Sequence, residues 1–361
     1  MSFRKIAPSI LTLFLPVLLV GCGAVNTPSA TPPNPAEHLG FVANLFSNSI
    51  STYAVDPQTG QLSPKDTVPA GGMNSRVIAV DPSGRFVYVG NVLSDDISVF
   101  SIDTNRGSLT MVGSPVPAGN GPRFIVVGPT GNILYVVNQD ANNISAFSIN
   151  PNTGALTPLS GAVTTDDAPV ALGFHPSGRF AYVVNGGSND ITVYAVDHTG
   201  ALALLGAVPD RANPNSITMH PSGHFAYVAN LGSNDITIFS VDTATGALTP
   251  MATRVVAGGG PTSLTIDSQG RFAYVTNMIA GNVSVFAIDA ATGALTATSS
   301  APAGTDPVAL NLDASGKFAY AVNLTSNNVT QFTVDPTSGA LTPAGSPVNT
   351  GTGPVWMALT N

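Results

Sequence analysis

The sequence predicts an all-β fold, a seven-bladed β-propeller with four antiparallel strands per blade, and three observations lead there. An aromatic, two small or β-branched residues and an Asn recur seven times, at Phe41–Asn44, Tyr88–Asn91, Tyr135–Asn138, Tyr182–Asn185, Tyr227–Asn230, Tyr274–Asn277 and Tyr320–Asn323, with Asn-to-Asn steps of 47, 47, 47, 45, 47 and 46. A fixed period of this size means one supersecondary unit that buries its apolar faces against copies of itself. Each period also holds four strand-like runs with turn chemistry between them, which is the content of a propeller blade. Finally, the array is out of phase with its ends: it starts on a second strand (Leu39 to Asn44) and finishes on a first strand (Gly353 to Leu359). The C-terminal strand a is therefore expected to pair with the N-terminal strand b, closing the ring and leaving no sheet edge at the seam.

The first 37 residues stand outside this pattern. Arg4 and Lys5 precede an apolar stretch, Ile6 to Val20, that is short and Pro-interrupted for a membrane span. It ends in Leu19-Val20-Gly21-Cys22, which resembles the lipobox of bacterial lipoproteins; the resemblance implies a signal peptide over 1–21 and a lipid on Cys22. Cys22 is the only cysteine, so no disulfide framework exists. Cleavage before it leaves 340 residues and, without Arg4 and Lys5, a net charge of −10. Residues 22–37 are rich in Pro, Ala, Thr and Asn and read as a semi-extended tether. At ~3 Å per residue it reaches on the order of 40 Å. Gly23 after the Cys, rather than Asp, resembles the outer-membrane sorting signal. The expected location is thus the bacterial envelope, held to a membrane through the Cys22 lipid and facing the periplasm or the surface.

Within 38–361 the fourth repeat shows the elements in order. Strand a is expected over Pro169 to Phe174, strand b over Phe180 to Asn185, strand c over Ile191 to Val196 and strand d over Ala201 to Leu205. The a–b turn, His175-Pro-Ser-Gly-Arg179, is echoed by Asp81-Pro-Ser-Gly-Arg85, His220-Pro-Ser-Gly-His224 and Asp313-Ala-Ser-Gly-Lys317. In it Pro presets φ and Gly accepts the left-handed position. The c–d turn, Asp56-Pro-Gln-Thr-Gly60, recurs at Asp242–Gly246, Asp289–Gly293 and Asp335–Gly339 and suits a type I turn followed by a Gly bulge. Strand c carries an aromatic in every copy, from Tyr53 to Phe332. With those of strand b and the Phe residues after the a–b turns, 19 of the 25 aromatics are assigned to packing between blades.

The Tyr-Val-x-Asn signature, the Asp/His-Pro-Ser-Gly-Arg-Phe turn and the Asp-x-x-Thr-Gly-Ala-Leu turn resemble the YVTN-repeat propellers and the related lactonase superfamily that includes 6-phosphogluconolactonase and muconate cyclase. The resemblance covers residues 38 to 361. It implies a seven-bladed ring and, in the lactonase branch, opening of sugar lactones by His, Arg and Glu at the central channel. This chain departs from that branch: Gly121-Pro-Arg-Phe124 has Phe where a His belongs, and no Tyr-x-x-Asn is followed by Glu. WD-repeat identity is excluded by the lone Trp356, by the absence of any Trp-Asp pair, and because the single Gly-His pair, Gly223-His224, belongs to an a–b turn.

Site residues are sought among those that the repeat consensus does not explain. Of 19 Asp, twelve hold consensus positions; Asp95, Asp140, Asp166, Asp167, Asp210 and Asp306 fall instead in b–c or d–a loops, which share one face at the channel mouth. Arg76, Arg123, Arg211 and Arg254 join them there, as do Phe46, Phe124 and Trp356. For catalysis the candidates are Arg123 and Arg76 as carboxylate clamps or oxyanion donors and Asp140 or Asp166 as base. The histidines map elsewhere: His175, His220 and His224 to a–b turns, His198 to a c–d turn, His38 to the seam. The Asn residues ending strand b are read as structural.

No cofactor is implied. The Asp-x-x-Thr-Gly turns lack the oxygen density of a calcium loop, no Cys/His cluster suits zinc, and no phosphate-binding Gly-rich loop occurs. Only 9% of residues are charged and the net charge is −8, which argues against nucleic-acid partners. A monomer is expected. Three functions remain open: a binding or scaffold module using the channel-mouth face, a lactonase acting on a sugar lactone, and a structural surface protein with a filled channel. The first is the primary expectation, with an unidentified small molecule or envelope protein as partner.

Overall fold

Alternating apolar runs of six or seven residues, punctuated by Pro and Gly, produce a molecule built wholly of strands and turns over the residues described in this computed structural model, 38–159 and 161–360. The signal peptide, Cys22 and the tether lie outside the described residues. Each repeat forms one antiparallel sheet whose strands a to d run outward from the axis, and the a strands of successive blades contact one another around it. Blade 4 comprises Pro169–Phe174, Phe180–Asn185, Asp190–Val196 and Leu202–Pro209. Strands a and b match the expected bounds, and strand c begins one residue earlier.

Strand d departs from expectation. In blade 4 it runs to Pro209, with a bulge that places Gly206 opposite Val193 and Leu204 opposite Tyr194. In blade 2 it breaks into Leu109–Met111 and Val116–Pro117, both paired with Asp96–Ile102. The break arises because strand d there advances five residues while strand c advances three. Blades 3, 5 and 7 are split in the same way.

The seam closes as the out-of-phase ends require. Pro354–Leu359 pairs with His38–Asn44, setting Ala358 opposite Phe41 and Met357 opposite Val42. Thr360 secures the end: its hydroxyl accepts from the Leu39 N–H at 2.8 Å and its own N–H donates to the Leu39 carbonyl at 2.9 Å.

The core is divided into seven apolar clusters, one at each blade-to-blade interface. Strand b is buried along its whole length in blades 2 to 7, because a neighbouring blade covers each of its faces. The strand-b tyrosines join blades as well as filling them. Tyr182 donates its hydroxyl to the Gly246 carbonyl of blade 5 at 3.1 Å, Tyr227 to Gly293 at 2.9 Å and Tyr320 across the seam to Gly60 at 2.8 Å. Gly246 holds φ at 76°, and a Cβ there would lie 2.5 Å from the Phe180 ring, so both backbone and packing require Gly.

The a–b turn explains the histidines. The Asp81 carboxylate accepts from the N–H groups of Ser83, Arg85 and Phe86. His175 takes the same place: its Nδ1 accepts from the Ser177 N–H at 3.1 Å and its Nε2 reaches the Gly223 carbonyl of blade 5 at 3.0 Å. His220 repeats this with Ser222 and with Gly270 of blade 6. Both rings are buried turn braces that also fasten one blade to the next.

Candidate functional site

Strand a begins on Pro in six blades and on Ser75 in the other, and its second residue is skipped in every pairing with strand b. Ser75 faces Asn91 and Val77 faces Gly90, omitting Arg76; Pro122 faces Asn138 and Phe124 faces Val137, omitting Arg123. The same bulge omits Val170, Asn215, Thr262, Val308 and, at the seam, Val355. A residue left out of the ladder is re-aimed. Here all seven line one cavity of about 220 Å³ at the axis. Leu45, Leu231, Met278 and Leu324, each the first residue after a strand-b Asn, place that cavity at the end of the channel where the b–c and d–a loops converge.

The lining is chemically lopsided. Arg76, Arg123, Asn215 and Thr262 are the polar members of the bulge ring. The Arg123 guanidinium donates to Asn215 Oδ1 at 3.4 Å, and Asn215 Nδ2 donates to the Thr262 carbonyl at 2.6 Å. Thr262 Oγ1 lies 3.2 Å from the Pro307 carbonyl and 3.0 Å from Thr276 Oγ1. Arg76 has no hydrogen bond or ion pair with any described residue, and its Nε is buried without a partner. Burial pushes its guanidinium down to about 10, so it remains a cation at neutral pH. Val170, Val308 and Val355 complete the ring. Phe124 and Trp356, at the next position of their strands, meet edge to face at 5.5 Å and 89°. The lining includes no carboxylate and no imidazole.

Of the residues proposed from sequence for this face, the structure gathers Arg76, Arg123, Phe124 and Trp356 in the cavity and places the rest outside its lining. Asp140 is exposed on its b–c loop. Asp166, also exposed, accepts from Thr192 Oγ1 at 3.2 Å, and Asp167 accepts from Asn142 Nδ2 at 3.3 Å. Asp306 sits in a left-handed conformation with φ 55° and accepts from the Thr325 hydroxyl. Arg254 and Arg211 converge on Asp235, at 2.8 and 3.5 Å, where the carboxylate is fully buried. Asp210, a strand-c brace through Thr237 Oγ1 at 2.5 Å, is held above the usual carboxylate range, chiefly by burial. Asp95 accepts from the Gly121 N–H at 2.7 Å, the job done by Asn142, Asn189, Asn234 and Asn327 in other blades. Phe46 is an exposed rim residue.

The Nδ2 groups of the strand-b Asn residues are spent on the scaffold in all seven blades, while the Oδ1 atoms of Asn44, Asn185 and Asn230 are buried without a partner. Asn277 Nδ2 donates to Asn282 Oδ1 and Ser284 Oγ, while its Oδ1 accepts from the Gly258 N–H at 2.9 Å. Sequence reasoning missed Asn215 and Thr262. Their signal was positional: each follows the Pro that opens strand a, in register with Arg76 and Arg123.

Comparison with known proteins agrees with this architecture. The family model described as Lactonase, 7-bladed beta-propeller matches residues 26–121, 78–171, 115–266 and 256–359. Among solved structures, a protein proposed to be a 6-phosphogluconolactonase from Bacteroides uniformis superposes with a TM-score of 0.80 at 21% identity, over 90% of this chain and 99% of that one. A Lactobacillus plantarum protein gives 0.80 at 23% identity with the same coverage. The periplasmic gluconolactonase of Pseudomonas aeruginosa gives 0.79 at 20%, again over 90% and 99%. Similarity at these identities speaks to the fold. None of the curated proteins compared matches the chain. With a family model spanning nearly every repeat and a ring of seven four-stranded blades, the chain belongs to the seven-bladed β-propeller lactonase family.

Proposed function

We propose that this protein is an envelope-anchored binding module whose channel mouth holds a small organic anion. The observation that carries the proposal is the pair of bulge residues Arg76 and Arg123 in an otherwise mostly apolar cavity that offers no carboxylate to neutralise them. A half-buried cation without a counter-ion, with the Arg76 Nε itself shut off from solvent, is costly unless something completes it, and guanidinium forks suit carboxylate or phosphate. Binding is favoured over hydrolysis because the lining holds no His, Asp or Glu to activate water. An open cavity also fits a binding module better than a purely structural ring. The Leu19-Val20-Gly21-Cys22 segment supports attachment to a membrane through a lipid on Cys22, from where the tether would present the ring. Cys22→Ser should release the protein from membranes on fractionation; continued attachment would argue against lipidation.

Hydrolysis of a sugar lactone is the second reading. It is favoured by the family and by similar structures whose names refer to gluconolactonase activity. Under it, Arg123 or Arg76 would stabilise the oxyanion. The deciding experiment measures hydrolysis of 6-phosphogluconolactone and a panel of neutral lactones by the purified protein beside Arg123→Ala, with calorimetric titration of the ring-opened acids. Anion binding lost in Arg123→Ala without turnover is the expected result. Turnover that disappears in the variant would establish the hydrolase instead.

A further inference from the structure

We propose that the anion this cavity selects is a carboxylate on an apolar body, an alkyl or aryl chain of several carbons, and not a polyhydroxylated sugar acid. The inference rests on the anion-binding reading above and adds what the rest of the ligand must be.

The hydrogen-bonding inventory of the cavity comes first. Asn215 Oδ1 already receives Arg123, and Asn215 Nδ2 is committed to the Thr262 carbonyl. Thr262 Oγ1 is shared with Thr276 and the Pro307 carbonyl. What remains unspent is the donor capacity of the two guanidinium groups and the hydroxyl of Ser216, which has no partner. Donors clustered in this way suit one anionic head group. A sugar acid brings several hydroxyls that each need an acceptor as well as a donor, and the Ser216 hydroxyl is the one side-chain acceptor of the lining that holds no bond. Each hydroxyl buried without a partner weakens binding by roughly five- to a hundredfold.

The walls point the same way. Val170, Val308, Val355, Phe124 and Trp356 offer area that only an apolar body uses. At about 220 Å³ the cavity falls short of the roughly 300–1,000 Å³ of a typical ligand pocket, so a longer ligand extends past the mouth. Outside the mouth the apolar surface continues. The second residue after the strand-b Asn is Phe46 in blade 1, Leu93 in blade 2 and Ile279 in blade 6, with exposures of 65, 64 and 72%. Met73, 56% exposed, stands beside Leu93, whose N–H donates to its carbonyl at 3.1 Å. The same loop position holds Asp140, Gly187 and Gly232 in blades 3 to 5. In blade 7 the position is Thr325, so the rim is apolar at blades 1 and 2 and again at blade 6, giving a chain that leaves the arginines a defined side on which to lie.

The test is calorimetric titration of the purified protein with butyrate, hexanoate and octanoate, with gluconate and 6-phosphogluconate beside them and hexanol as the uncharged control. Affinity should rise by about fourfold per buried methylene from butyrate to octanoate, gluconate should bind more weakly than hexanoate, and Arg76→Gln should abolish binding with its melting profile intact. Leu93→Ser should weaken octanoate and leave butyrate unchanged. Tighter binding of gluconate or 6-phosphogluconate than of hexanoate, or no dependence on chain length, overturns this inference while leaving the anion site in place. If no acid binds, or Arg76→Gln and Arg123→Gln change nothing, the anion site itself falls and this inference with it.

Discussion

Asp210 carries a buried carboxylate with one oxygen bonded to the Thr237 hydroxyl and the Arg211 N–H and the other without a partner. Burial, the largest influence, raises its pKa; Thr237 and Arg211 pull the other way. A carboxyl whose folded pKa lies above its unfolded value destabilises the fold as pH climbs, since the unfolded chain gives up its proton first. Asp210→Asn should therefore melt higher than the parent at pH ~7 and converge with it near and below pH ~4; a less stable variant at neutral pH would mean that Arg211 outweighs burial. Arg76→Met addresses the cavity in the same way. Removing a guanidinium that no described residue satisfies should hold or raise the melting temperature while abolishing anion binding. Legibility at this scale was uneven. Arg76 and Arg123 stand out from the consensus because charge is rare in this chain, but Asn215 and Thr262 are ordinary turn and strand residues whose inward direction comes from a bulge visible only in the pairing. Arg211 and Arg254 lie far apart in sequence and meet at Asp235 only through folding, so their scaffold role could not be read beforehand.

At the scale of the element, the blade is held by contacts that repeat almost without change. The bond from a strand-b tyrosine to the next blade's c–d turn is absent where Phe41 occupies the position and also at Tyr274, whose hydroxyl is buried without a partner, so a missing clasp is tolerated. Tyr182→Phe should accordingly cost only about 1 kcal/mol in urea unfolding. Gly246→Ala meets both a left-handed backbone and the Phe180 ring, and should cost about 2–4 kcal/mol in the same measurement. Equal effects for the two would show that the turn yields more readily than its packing suggests. Strands a and b were legible to the residue because their apolar runs end in Pro and Asn. Strand d was not: its side chains in Leu202–Pro209 are largely exposed, so its length follows from pairing with strand c and not from a hydrophobic pattern of its own.

For the whole molecule, the seam is the decisive element. Deleting Pro354 to Asn361 removes the inner partner of His38–Asn44 together with the fully buried Met357, and should cost most of the stability and leave an exposed edge. An unchanged melting temperature would refute closure by this strand. Ring size and closure were readable because seven periods and a phase offset at the ends have few other solutions; the unequal chemistry around the axis was not, since it sits on residues that leave the repeat unaltered. The bulge carries a further consequence. Its residue takes no part in the strand ladder, so each blade holds one position whose identity is nearly independent of the bonds that build the sheet. Seven such positions around a common point form an address that mutation can rewrite one blade at a time, letting ligand preference diverge among descendants while the barrel of blades around it is inherited intact.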